Sequence, residues 1–289
     1  MSNASTQTVI RKTIENISSL PTLPTVLDRI TRLLHNPQTS AEQIGKAITA
    51  DQALASKVLR LVNSAFYGFP GKIATITHAV VILGFSTIKN IVLTTSIFDA
   101  FKSKKNRFSG FDLEQFWYHS IACGAAAQTI AKQIGFEERE TCFIAGLIHD
   151  IGKVILCQYM PDHFEKIITE VRAKDILFYE SERQLFDITH QEVGGILAER
   201  WNLPIDLQYA VQRHHTPSTA SDHFMVSAVT HCADVLARAL DIGNGGDDKI
   251  PAISEPVWRN LGMANVPLQP LLESIEHEVE KANIFKQVL

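Results

Sequence analysis

The sequence predicts an all-α protein, a helical bundle throughout. Three observations carry this: apolar residues recur at helical spacing, alternating strand patterns are absent, and capping residues stand just before the periodic runs. In the first run Val26, Leu27, Ile30, Leu33 and Leu34 share one face after Pro24, and Asn36-Pro37 stops it. Ser40-Ala-Glu-Gln43 is a capping box before Ile44, Ala47 and Ile48. Asp51 caps the next helix, with Leu54, Val58, Leu61 and Val62 inward until the turn at Tyr67–Gly71. Ile76–Leu83 and Ser86–Phe98 make two helices around Gly84. Asp112 caps a helix that runs to Ile134 and ends at Gly135. Glu138–Tyr159 follows as one helix, with Pro161 after it. Further helices fit Asp162–Lys174, Ser181–Phe186, Ile188–Trp201, Pro204–His214 and Ser221–Leu240. Gly243-Asn-Gly-Gly-Asp-Asp248 reads as a flexible loop, and no Lys-Ser/Thr follows it to make a phosphate-binding loop.

Composition narrows the class. The chain has 289 residues, 45% hydrophobic and 20% charged, which excludes collagen-like, coiled-coil and disordered chains. No apolar run approaches the length of a bilayer span, and the start lacks the pattern of a secretory signal. Cys123, Cys142, Cys157 and Cys232 are scattered among apolar residues without CxxC spacing, as small core side chains in a reducing compartment; a cytoplasmic protein is expected.

Charge divides the chain. Residues 1–108 carry 13 Lys/Arg against 5 Asp/Glu, residues 109–289 carry 14 against 26, and nine of the eleven histidines lie in the second part. This predicts a basic helical module over 1–108, a metal-binding helical module over 109–250 and a closing cap over 251–289, with a polar division at Lys102–Gly110. The basic excess suits either a phosphate-rich or acidic partner, or simple complementarity with the acidic half.

The chemistry lies in a string of metal-type ligands on predicted helices: His119, His149-Asp150, His190, His214-His215 and Asp234. Imidazole nitrogen and carboxylate oxygen suit a borderline divalent ion. Each histidine alone also fits a hydrogen-bonded core residue. Asp234 lies in an apolar helix stretch, where a carboxylate needs a cation or an Arg. Adjacent helical residues diverge by about 100°, so neither His149 with Asp150 nor His214 with His215 faces one ion as a simple pair. Lys153 lies one turn beyond Asp150 on the same face, either to hold a phosphate oxygen or as a solvated helix end.

Ala145-Gly-Leu-Ile-His-Asp-Ile-Gly-Lys153 resembles the signature of the HD superfamily of metal-dependent phosphohydrolases. Leu20–Pro24, Asp51–Leu54, Lys57–Ser64, Phe66-Tyr67-Gly68 and Ile82-Leu-Gly84 resemble, more narrowly, the HDOD domain of bacterial signalling proteins. Together they cover about residues 15 to 240. The resemblance implies an HD-type bundle with an amino-terminal HDOD subdomain. It places His119, His149 and Asp234 on one ion and His190 with His214 on a second, Asp150 bridging. Two divalent transition-metal ions are implied, iron or manganese favoured, with zinc, nickel or magnesium also fitting. Many HDOD proteins lack these ligands; this chain has the whole set. It has no Gly-Tyr-Pro triplet, and Gln115 stands where cyclic-di-GMP phosphodiesterases of the HD-GYP type place a glutamate, so that cleavage is not expected.

A signalling role is expected first, with a protein partner or a phosphorylated small molecule as ligand and Phe66–Pro70 and Phe98–Phe101 either partner surfaces or core. Phosphohydrolase activity is the alternative, with Asp150, Lys153 and His215 as catalytic groups; an iron pair could also activate oxygen. Helix-turn-helix binding of nucleic acid through His78–Leu93 and Lys89 ranks last, because the second helix is mostly apolar.

Overall fold

The computed structural model describes residues 25–34, 36, 38–102, 110–186 and 188–288. Leu20–Pro24, the amino-terminal residues read for a signal and residues 103–109 of the polar division lie outside the described residues. Among the described residues all regular structure is helical. The chain divides into two compact units, one of residues 25–102 with 280–288, the other of residues 110–279.

The first unit holds α1 (Thr25–Leu34), α2 (Ala41–Thr49), α3 (Gln52–Val62), α4 (Ile76–Lys102) and α15 (Ile284–Val288). The caps form as the sequence predicts. Gln43 N donates to Ser40 Oγ at 3.3 Å and Ser40 N to Gln43 Oε1 at 2.8 Å; Leu54 N donates to Asp51 Oδ1 at 3.0 Å. The two helices expected around Gly84 are the halves of α4, broken where Gly84 takes φ 82° and ψ 167°. Ile76–Phe101 is long and apolar enough to cross a membrane, beyond what the short apolar runs suggest. Within it Ile88, Ile91, Val92, Ile97, Phe98 and Phe101 are buried. Phe98 and Phe101 are therefore core rather than partner surface. Phe66 packs edge-on against Tyr67 and Phe285. Among the described residues of this unit the exposed large apolar side chains are Val81, Ile82 and Phe85, beside the Gly84 break, and Lys89 is half-buried.

The second unit holds α5 (Leu113–Gln133), α6 (Arg139–Ile148), α7 (Ile151–Tyr159), α8 (Pro161–Lys174), α9 (Phe178–Leu185), α10 (His190–Arg200), α11 (Ile205–Arg213), α12 (Phe224–Ala239), α13 (Glu255–Asn260), a 3₁₀ turn (Met263–Asn265) and most of α14 (Leu268–Ala282). The stretch expected as one closing cap is thus shared between the units. Asp112 Oδ1 accepts from Glu114 N and Gln115 N and starts α5. Long α5 packs on α6 and α12, and α7 on α10. Two glycines set those crossings: a Cβ on Gly146 of α6 would stand 2.5 Å from the Cys123 carbonyl oxygen of α5, and one on Gly152 of α7 would collide with the His190 carbonyl of α10. Backbones meet there, which brings His119 toward His149 and His190 toward Asp150.

Candidate metal centre

The helix expected over Glu138–Tyr159 is two. α6 ends at Ile148, His149 is its C-cap, and Asp150 (φ −97°, ψ 11°) opens α7. Gly146 and Gly152, on either side of this junction, press against different partners, α5 and α10, so the chain turns between them. The 100° divergence of adjacent helical residues does not apply at such a junction, and both side chains point inward. The same correction holds for the second pair. α11 ends at Arg213, so His214 and His215 lie in a turn and both reach the cluster. His190 is the first residue of α10; His119 and Asp234 are mid-helix, on α5 and α12.

The ligand-type atoms form two groups, each within 4.8 Å: His119, Cys123, His149 and Asp234; and Asp150, His190, His214 and His215. Asp150 faces both. Its Oδ2 is 3.3 Å from His149 Nε2, and its Oδ1 is 3.1 Å from His190 Nε2 and 3.6 Å from His214 Nε2. In the first group Asp234 Oδ1 is 3.2 Å from His119 Nε2 and 3.7 Å from His149 Nε2. In the second, His190 Nε2 lies 3.3 Å from His214 Nε2 and 3.1 Å from His215 Nε2.

Outer hydrogen bonds fix the rings. His149 Nδ1 donates to the Gly146 carbonyl at 2.7 Å and His214 Nδ1 to the Val211 carbonyl at 3.0 Å. His190 is held by buried Glu182, which accepts from its backbone N at 2.8 Å and faces its Nδ1 at 2.7 Å. With Nδ1 committed, each neutral ring turns an Nε2 lone pair inward. His231 is the contrast: its Nδ1 donates to the His214 carbonyl and its Nε2 accepts from Ser254 N, so it is a satisfied core histidine.

Burial opposes ionisation of Asp150, but His149 and Lys153 hold it well below the usual carboxylate range. Burial likewise opposes Asp234, and Arg238 outweighs it. Burial would depress His149, yet Asp150 and Asp234 hold it up to about 9. Burial pushes His214 down to about 4 and His119 and His215 below their ordinary value. Burial raises Glu182, and Glu182 outweighs burial to pull His190 up. A metal would have to displace the proton that the carboxylates favour on His149 and His190.

The residues fit a cation. His149 Nε2 and Asp150 Oδ1 are buried, aimed into the cluster and make no hydrogen bond. A buried orphan of this kind costs about 1–3 kcal/mol. A shared ion would satisfy both. Asp234 also realises the other option the sequence left open, because Arg238 Nε donates to its Oδ1 at 2.8 Å.

Lys153 is not a solvated helix end. It is fully buried, donates to Asp150 Oδ2 at 2.7 Å and to the Gly245 carbonyl at 2.8 Å, and stands over the Phe178 ring. The loop expected to be flexible is packed here. Asp247 accepts from Arg238 Nη1 at 2.8 Å and from Phe178 N at 3.0 Å, and Asn244 N donates to the Gln115 carbonyl. Sequence reasoning missed Cys123, Glu182, Arg238 and Asp247. The i, i+4 spacings of His119 with Cys123 and of Asp234 with Arg238 were available signals; Glu182 and Asp247 gave none.

The family model of the HDOD domain matches residues 20–217, which includes His119 through His215 but neither Asp234 nor the 243–249 loop. An uncharacterized protein of Treponema pallidum (strain Nichols) is 29% identical over 241 residues, 82% of this chain and 45% of that one; the chain thus spans about half the length of this curated relative. Among solved structures, an HDOD domain protein of unknown function from Geobacter sulfurreducens superposes with a TM-score of 0.81 at 25% identity, covering 98% of each chain. A protein from Shewanella amazonensis SB2B named "Putative phosphohydrolase" superposes with a TM-score of 0.73 at 23% identity, covering 96% of this chain and 97% of that one.

Proposed function

The chain belongs to the HDOD family, and from that premise we propose that it is a signalling protein whose second unit is organised around two divalent ions. His119, His149 and Asp234 hold one, His190 and His214 the other, and Asp150 bridges them; iron or manganese suits this donor set, with zinc, nickel or magnesium as competitors. One observation carries the regulatory reading: the donors are sealed. His119, His149, Asp150, His190, His214 and Asp234 are buried, and His215 alone in the cluster is half-exposed. Such a cluster ties the helices that carry its donors to one point, so gain or loss of an ion changes the packing of the unit. The partner we assign is another signalling protein, and the compartment a reducing cytoplasm, supported by four buried cysteines outside any disulfide.

Phosphoester hydrolysis is the second reading, favoured by a groove of about 460 Å³ lined by Arg183, Gln191, Arg213 and Thr216 together with Glu192 and Glu199, several of them beside His190 and His215 in the chain. Divalent ions would supply Lewis-acid activation of water and neutralise phosphoryl charge. In that reading half-buried His215 meets the ligand, Asp150 keeps its carboxylate ionised between the half-sites, and Lys153 orients Asp150 instead of touching phosphate. The full chain, loaded with manganese or iron, decides between them with chromogenic phosphomonoesters and phosphodiesters. The signalling reading predicts bound metal without turnover. Turnover that disappears in Asp150→Ala, with helical content intact, would replace it by the hydrolase.

A further inference from the structure

Cys123 follows His119 by one helical turn on α5, so both side chains leave the same face. Its Sγ lies 3.4 Å from His119 Nε2 and 3.9 Å from Nδ1, in the buried group that also holds His149 and Asp234. An ion with bonds of about 2.3 Å to sulfur and about 2.1 Å to nitrogen holds two adjacent donors roughly 3.1–3.6 Å apart. Building on the two-ion reading above, we propose that Cys123 is a further protein donor, beside the bridging Asp150, to the ion held by His119, His149 and Asp234, which makes this half-site a closed, thiolate-bearing one.

Space-filling alone does not explain the residue. Ala122, Gly124, Ala125, Ala126 and Ala127 line the same stretch of α5, where small side chains are what the crossing with α6 requires. A sulfur at 123 adds a donor where the orphaned His149 Nε2 already points. Among the described residues Cys142, Cys157 and Cys232 join no such group. As the sulfur–metal bond forms, the thiol proton leaves to the buffer, and the thiolate is a soft donor. The second half-site, Asp150 with three imidazoles, has no sulfur and ends at the half-exposed His215. The two positions therefore differ. The first, with sulfur among its donors, holds zinc, iron or cobalt the more firmly.

Cobalt reads this directly. The full chain, stripped by chelator, is titrated with cobalt(II) while the near-ultraviolet thiolate-to-cobalt charge-transfer band is followed. Wild type is expected to develop the band to saturation at one equivalent, and Cys123→Ser to lose it while still binding cobalt at the second half-site. Cobalt uptake by wild type without the band overturns the thiolate ligand and leaves the two-ion reading standing. No uptake at all overturns both. Should Cys123→Ser fail to fold, X-ray absorption of zinc-loaded wild type decides: a sulfur scatterer at about 2.3 Å supports the ligand, and a shell of nitrogen and oxygen alone overturns it.

Discussion

At the scale of single residues, the supports of the ligands are as informative as the ligands. Arg238 sits between two buried carboxylates, Asp234 and Asp247, and bonds both at 2.8 Å. Arg238→Ala leaves two buried charges uncompensated, and urea unfolding of the metal-free protein should show a loss of about 3–5 kcal/mol. Glu182 orients His190, so Glu182→Gln should keep the fold and weaken the second half-site's ion about 10–100-fold in competition with a chromophoric chelator. Burial also pushes the Cys157 thiol up to about 11 from an ordinary 9.0. A thiol whose pKa rises on folding favours the folded state below the unfolded value, and that contribution is lost as pH climbs from about 9 through 11. At pH 8 Cys157 should alkylate about two orders of magnitude more slowly in the native protein than in urea. The metal-ligand types were legible in the sequence because histidines and aspartates stand out in apolar helices. The burial of Lys153 was not, because its acceptor Gly245 lies 92 residues away and only the folded chain brings it near.

At the scale of elements, the centre depends on where helices end and on how closely they cross. The periodicity located the helices, and the caps at Ser40, Asp51 and Asp112 were readable because a side-chain acceptor precedes each run. The break at His149-Asp150 was not, since one helix over Glu138–Tyr159 fits the periodicity; tertiary crossings at Gly146 and Gly152 impose it, whereas the end of α11 falls within a residue of the expected His214. These crossings are testable. Gly152→Ala drives a methyl into the His190 backbone and should cost about 1–3 kcal/mol or more and lower the bound metal. Gly146→Ala should act likewise through α5. Gly71→Ala, where an added Cβ meets nothing within 4 Å, should stay within about 0.5 kcal/mol of wild type in the same denaturant titration. The 243–248 loop was misread for a related reason: its glycines signal flexibility locally, yet its carbonyls and Asp247 are committed to Lys153, Arg238 and Phe178.

At the scale of the whole molecule, ion binding and stability are linked. An ion that binds only the folded protein stabilises it by about 2.7 kcal/mol when free metal exceeds its dissociation constant a hundredfold. Chelation should therefore lower the melting temperature, and restored metal should raise it in proportion to the logarithm of its concentration. On the proposed reading this HDOD chain holds two ions through donors from both groups, with Asp150 common to them. Elemental analysis of the purified full chain, reloaded with manganese or iron and desalted, tests it most directly, alongside Asp150→Ala. Close to two ions per chain in wild type, falling in the variant while helical content persists, is the predicted result. A wild-type chain that holds no ion after loading would contradict the account.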